Sequence, residues 1–329
     1  TYNMSRAVAE TMMRRNAGEV SGLKTGIEQL DAMLSGGMRP GNLIIIESTV
    51  PPLTCRERIT PVIEARTGLT VGEDVFLAHC PERILPGDIF HEIVYNDRII
   101  GGINEKTRDL AANVYASFVK GNLYKTDDIT AELVKLMENT YRDVNIALAN
   151  EFAAVAETLG IDARQAIELA NKHPRVDILS PGIGVGGHCI PIDPWFIKEV
   201  DPANSRLIFM SRLINDEMPS RVAARIRRAV REVPVPRIVA LGAAYKPNVD
   251  DPRESPAIKI VELLREDGYD VAHYDPLIEG MEYPSLVEAA RGADLLAILV
   301  PHRVILEELA RCRAEVEAAM RRPVIERYQ

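Results

Sequence analysis

A cysteine that follows a run of glycines is the clearest chemical feature of this 329-residue chain. From Ser180 to Pro194 the sequence reads SPGIGVGGHCIPIDP, with Gly182, Gly184, Gly186 and Gly187 crowded ahead of Cys189. Glycines at that density let the backbone approach a ligand closely and turn several N–H groups into one space. A thiol placed after such a loop has its ionisation favoured by facing N–H dipoles or a cation, and a thiolate attacks carbonyl carbon to give a covalent adduct. A plain glycine-rich turn beside a buried cysteine fits the same composition. The spacing also resembles a dinucleotide fingerprint, but no clear strand precedes it, as that motif requires.

Three further groups could serve a ligand. Lys135, Asn139 and Arg142 stand at i, i+4 and i+7, so a helix puts a cation, an amide and a second cation on one face. Such a row suits an anionic or sugar-like ligand, and each residue taken alone equally suits a solvated face. His173 and Arg175 lie two apart just before the glycine loop, where they could converge on a phosphate. Tyr245 and Lys246 end an apolar run, with Arg253 seven residues beyond Lys246. The carboxyl edge of a parallel sheet is the usual ligand crevice, and there Lys246 suits a phosphate.

The elements that must hold these residues alternate in kind. Apolar runs at 42–47, 74–80 and 99–103 read as strands, with helices over Arg56–Ala65 and Glu105–Val119 between them. Thr130–Gly160 shows helical periodicity without an internal Gly or Pro, and Ala163–Asn171 continues as helix until Pro174 stops it. A helix follows from Arg206 to Glu232, interrupted around Pro219. Strands at 238–242, 271–274 and 295–300, an edge strand at 323–326, and helices over Ser255–Glu266, Ser285–Arg291 and Ile305–Met320 complete a second strand–helix alternation. The expected class is α/β: a truncated Rossmann-like N-terminal domain (1–122, atypical over 1–40), a central long-helix domain (123–215) and a C-terminal doubly wound parallel-sheet domain (216–329). The 130–160 helix is too long and too apolar for a free-standing face, so a homodimer through it is expected.

Composition narrows the class. With 39 Lys+Arg against 48 Asp+Glu the net charge is −9, which argues against nucleic-acid binding. No apolar run reaches the ~18–20 residues of a membrane span. Cys55, Cys80, Cys189 and Cys312 are scattered, with no CxxC pair, so neither a disulfide framework nor a metal site is expected. The expected setting is cytoplasmic.

Several motifs then coincide in order: Ile46–Pro52 (IESTVPP), Cys80–Arg83 (CPER), Asn96–Gly102 (NDRIIGG), the Lys135–Arg142 helix, Gly184–Pro194 and Tyr245–Ala257. Together they resemble the nucleotide-sugar dehydrogenases, over roughly residues 40 to 329. The tracts AELVKLMENTYRDVNIALANE, ANKHPRVDIL and GVGGHCIPIDPWF resemble the branch acting on UDP-N-acetylmannosamine. The resemblance implies a four-electron oxidation of a UDP-sugar alcohol to the uronic acid with two NAD⁺, in polysaccharide biosynthesis. It implies that Cys189 is the nucleophile forming a thiohemiacetal and then a thioester. Lys135 is then the lysine that stabilises alkoxide charge or exchanges a proton, Asp193 a carboxylate that helps activate water or a base, and Glu82 a glutamate tied to thioester hydrolysis. Arg83, Ile84, Asn139, Arg142, His173, Arg175 and Gly186 become substrate contacts, with Tyr245 and Lys246 on UDP. Thr49 and Arg253 reach the NAD. Arg327 stands near the place of a late substrate arginine, in a local motif (VIERYQ) that departs from the family's.

The family opens on a Rossmann βαβ unit carrying GxGxxG, and residues 1–70 contain no such motif. On that ground the chain is expected to lack the adenosine half of the NAD site, about 80–100 residues judged by the missing βαβ units. Ser21–Ser48 resembles instead the segment leading to the phosphate loop of RecA-like ATPases. It continues as Thr49-Val50-Pro51-Pro52-Leu53-Thr54 with no Gly-Lys-Ser/Thr, so that way of holding phosphate has no lysine. A family helix and strand fit the same residues. The alternative to an active dehydrogenase is a remnant that binds a UDP-sugar or a partner without NAD-dependent turnover.

Overall fold

β1 (Leu43–Ile46) starts the first sheet because three isoleucines follow a leucine there, a run of strand-favouring side chains. The computed structural model describes residues 38–84, 88–281 and 283–328. The expectations for residues 1–37, including the absent glycine fingerprint and most of the ATPase-like segment, lie outside the described residues. The chain divides into two units within its longest helix, at Met137 and Glu138.

In the first unit β1 is followed by a wide π-helical turn over Thr54–Ile59 and by α1 (Thr60–Thr67). Then come β2 (Phe76–His79), α2 (Ile89–Tyr95), β3 (Arg98–Gly102), α3 (Glu105–Ala116) and β4 (Leu123–Asp127). The strand order is β1-β2-β3-β4, with β2 and β3 antiparallel and the outer pairs parallel. Ala78, Cys80 and Ile100 pack against Ala111, Ala112 and Tyr115 of α3 to form the core. The Asn104 side chain caps α3 by accepting from Thr107 N–H.

The helix α4 (Asp128–Leu159) runs 32 residues, about three times the mean helix length. It is followed by α5 (Ala163–Ala170), α6 (Asp193–Val200) and α7 (Arg206–Val230). The C-terminal sheet is wholly parallel, in the order β6 (Asp270–Tyr274), β5 (Arg237–Leu241), β7 (Leu295–Ile298), β8 (Ile325–Arg327). Alternate residues separate its two faces. Ile238, Ala240, Leu295 and Ala297 meet Val222, Ile226 and Val230 of α7 and Ile260 and Leu264 of α8 (Pro256–Glu266). Val239, Leu241, Leu296 and Ile298 meet the other layer, α9 (Leu286–Ala290), α10 (Arg303–Arg311) and α11 (Arg313–Ala319). Period-2 burial on both faces is what a doubly wound sheet demands.

Two expected elements are corrected. α7 is continuous through Pro219, although proline there removes one backbone bond to residue 215. The ring is buried, and the Asn215 carbonyl turns towards the glycine loop, 3.3 Å from where a Cβ on Gly184 would sit. The helix expected over Ile305–Met320 breaks at Cys312, whose thiol bonds back to the Glu308 carbonyl at 2.9 Å. α2, β4 and the π-helical turn were not among the expected elements. No helix among the described residues is long and apolar enough to cross a membrane.

Candidate active site

In the second unit the glycine loop is clamped from two sides. From α4, Asn145 accepts Leu179 N–H at 3.0 Å and donates to the Asp177 carbonyl at 3.0 Å. One and a half turns on, Asn150 accepts Gly182 N–H at 2.8 Å. Asn171, just past α5, bonds both the N–H and the carbonyl of Ile178. Three asparagine side chains thus satisfy backbone groups of a half-buried irregular segment with no strand or helix partners of its own. Behind them Asn150 donates to Asn215 at 3.0 Å, and Asn215 donates to the Asp143 carboxylate at 2.9 Å. Asp143 in turn pairs with Arg212, which also reaches Asp216. Asp143, Asn150, Arg212 and Asn215 are all buried.

The other side of the clamp is the segment after β5. A Cβ on Gly186 would lie 2.4 Å from the Glu254 carbonyl oxygen and 2.9 Å from the Tyr245 Cβ. Gly187, at φ +83°, lies against the Tyr245 ring and donates its N–H to the Arg253 carbonyl at 3.3 Å. The need for glycine at 186 therefore arises from protein contacts, a reason not visible in the spacing alone. It brings the thiol-bearing loop onto the segment that carries Tyr245, Lys246 and Arg253.

That segment is itself pinned at the carboxyl edge of the sheet. The buried Asp275 carboxylate accepts Ala243 N–H at 2.7 Å and lies 3.0 Å from His302 Nε2. His302 Nδ1 accepts Asn248 N–H at 2.9 Å. Burial works against ionisation of Asp275, but the bonds from His302, Ala243 and Leu277 outweigh it and hold the carboxyl below its ordinary value. Asn248 takes φ +63° and is steadied there by accepting Arg303 N–H at 2.8 Å. Lys246 Nζ lies 5.6 Å from the centre of the Tyr245 ring.

Of the sequence-predicted residues, Asn139 and Asp193 meet directly, Nδ2 to Oδ2 at 2.5 Å, and both are buried. Cys189 is half-buried, and its carbonyl accepts Ile192 and Asp193 N–H as the turn enters α6. Its Sγ is 2.8 Å from His188 Nδ1. Arg142 is exposed on α4. His173 and Arg175 are exposed as well, and the His173 imidazole accepts the Arg175 backbone N–H at 3.3 Å. Arg253 chelates Asp251 and draws that carboxyl down to about 2, with a smaller pull from His188. Arg327 is exposed on β8.

In the first unit Lys135 is half-buried on α4, one turn beyond Glu132. That turn is anchored where Glu132 accepts Cys55 N–H at 2.8 Å and Arg56 bonds Asp128 at 2.8 Å. Thr49, half-buried, follows β1. Glu82 donates its N–H to the Glu47 carbonyl at 3.1 Å, and its carboxylate accepts Ile84 N–H. Arg83 reaches the Asp97 carbonyl at 3.4 Å. The residues that sequence reasoning missed are the supports: Asp143, Asn145, Asn150, Asn171, Arg212 and Asn215, together with Asp251 and His188. Asn139, Asp143 and Asn150 stand at i, i+4 and i+11, a polar stripe on one helix face that periodicity could have revealed.

Comparison with known proteins places this geometry. Residues 14–119, 129–217 and 239–326 match the NAD binding, central and UDP binding domains of the UDP-glucose/GDP-mannose dehydrogenase family. The chain is 51% identical over 282 residues to the UDP-N-acetyl-D-mannosamine dehydrogenase of Methanocaldococcus jannaschii, covering 85% of this chain and 63% of that protein. It thus spans about three-fifths of the length of that relative. The Campylobacter jejuni protein of the same name is 40% identical over 85% of this chain and 73% of its own length. Among solved structures, the UDP-D-ManNAc dehydrogenase of Pyrococcus horikoshii superposes with a TM-score of 0.84 at 43% identity, over 92% of this chain and 72% of that one. With its three domain matches in order, the chain belongs to the UDP-glucose/GDP-mannose dehydrogenase family.

Proposed function

We propose that this chain serves an NAD-dependent oxidation of UDP-N-acetyl-D-mannosamine to the uronate, with Cys189 as the covalent centre. The observation that carries the reading is the docking of the Cys189 loop onto the Tyr245–Arg253 segment through glycines that leave no room for a side chain. Tyr245 and Lys246 hold UDP in this reading, with Lys246 on the diphosphate. Arg142, His173 and Arg175 contact the sugar or the diphosphate, and Asn139, Arg83, Ile84 and Gly186 complete the substrate contacts. Lys135 stabilises the alkoxide form of the reacting hydroxyl. Cys189 adds to the aldehyde, and the thiohemiacetal so formed keeps the aldehyde from escaping and becomes a thioester on further oxidation. Asp193, oriented by Asn139, and Glu82 activate the water that releases the uronate.

The donor set suits NAD in part. Thr49 follows β1 as a hydroxyl donor, and Arg253 supplies a guanidinium. The Ser48–Pro52 turn itself has no glycine cradle. NAD, when bound, accepts the hydride, and Thr49 and Arg253 are the residues proposed to hold it. The expected division into 1–122, 123–215 and 216–329, and the cytoplasmic setting, belong to the same reading.

Substrate choice supplies the test. We expect kcat/KM for UDP-N-acetylmannosamine to exceed that for UDP-glucose by at least about tenfold, the order of discrimination that a few polar contacts supply. An equal or higher value for UDP-glucose overturns the assignment.

A homodimer through α4 is the second part of the proposal. Tyr141, Leu148, Phe152, Val155 and Leu159 fall within about 60° of one another around the helix at 100° per residue, and they are 42–67% exposed. A contiguous apolar stripe of this kind marks a contact surface. Sedimentation at micromolar concentration is expected to give the dimer mass, and Phe152→Glu with Val155→Glu to give the monomer. A monomeric parent chain contradicts it.

A further inference from the structure

We infer that His188 and Cys189 form a thiol–imidazole pair, in which His188 Nδ1 takes the thiol proton and readies the sulfur for attack. The inference rests on the reading of Cys189 as nucleophile and adds a residue to it. The Sγ–Nδ1 distance is 2.8 Å, and the imidazole is exposed while the thiol is half-buried. Transfer over that distance breaks S–H and forms Nδ1–H, leaving a thiolate that accepts from the imidazolium.

Two charged side chains of the neighbouring segment flank the pair. Asp251, the carboxylate of the neighbouring segment, interacts favourably with a cationic His188. Arg253, the guanidinium bound to Asp251, interacts favourably with an anionic Cys189. The cation therefore faces a carboxylate and the thiolate faces a guanidinium. Gly187 holds both elements in register through the Arg253 carbonyl, and Tyr245 closes the side of the loop with its ring.

In the reaction the thiolate sulfur forms a bond to the aldehyde carbon, the carbonyl π pair moves to oxygen, and that oxygen takes up a proton. The proton parked on Nδ1 is available for this. Oxidation of the thiohemiacetal to the thioester frees the hydroxyl proton, which Nδ1 takes back; when water later cleaves the thioester, the C–S bond breaks and the departing thiolate again faces the imidazolium.

Alkylation with iodoacetamide, read at the Cys189 peptide by mass spectrometry, tests the pair without any turnover. His188→Ala and His188→Gln are expected to react about tenfold more slowly at pH 7, with the midpoint of the pH–rate profile moved up by about one unit. Rates are expected to converge at high pH, where every thiol is ionised. Thiolate absorbance at 240 nm, taken against Cys189→Ala, is expected to show the same displacement. The His188 side chain is exposed, so unfolding midpoints are expected to be unchanged. Profiles that superimpose on the parent overturn the pair, even if UDP-sugar oxidation is intact. A displaced profile in a protein that oxidises no UDP-sugar leaves the pair standing and overturns the reaction.

Discussion

Cys189→Ser is expected to lower the rate of uronate formation by on the order of a thousandfold or more, while leaving the fold intact. The serine hydroxyl stays protonated where a thiol ionises, and it is the weaker nucleophile at neutral pH. It cannot form the thioester through which the second oxidation is proposed to pass. The side chain is half-buried and nearly isosteric, and the turn depends on its carbonyl, which accepts Ile192 and Asp193 N–H whatever the side chain. The unfolding midpoint is therefore expected to stay within about 2 °C of the parent. A loss of turnover together with a large loss of stability would assign Cys189 to the scaffold.

Asp143→Ala is expected to have the largest effect on stability, about 3–5 kcal/mol, through the charge it strands. Arg212 is 1% exposed and keeps only Asp216, whose side chain is 49% exposed. Burial pushes the Asp143 carboxyl above its ordinary value despite the pull of Arg212 and Asn215. The pair is thus no source of stability in itself, and the cost lies in leaving one half of it alone. For a unit of this size the loss is a fall of on the order of 10 °C in Tm. Asp143→Leu combined with Arg212→Met, which removes both charges, is expected to recover much of it. A single variant as stable as the parent contradicts the account of the loop's support.

The sheets and the long helix were legible because their side chains repeat at the period of the element. Ile238–Leu241 reads as strand on both faces, and α4 keeps helical spacing with no breaker. β4 was not, because Leu123-Tyr124-Lys125-Thr126-Asp127 has the polarity of an exposed edge and is a strand only through pairing with β3. α7 passes Pro219 because packing on both halves of the helix overrides one lost bond, which no local rule can foresee. The proposed chemical residues rest on motifs and their order. Their supports were less legible, since Asn150 and Asn215 are 65 positions apart and meet only in the fold. His188 lay in plain view beside Cys189, and only the 2.8 Å contact gives it a role.

The central claim is that one thiol carries a substrate through two successive oxidations. Its most direct test counts NADH at 340 nm against UDP-N-acetylmannosamine consumed, at limiting substrate with excess NAD⁺. The account predicts two NADH for each sugar converted to uronate, with uronate formation by Cys189→Ser slowed by on the order of a thousandfold or more. One NADH per sugar with free aldehyde in solution, or uronate formed at the parent rate by the serine variant, would contradict it.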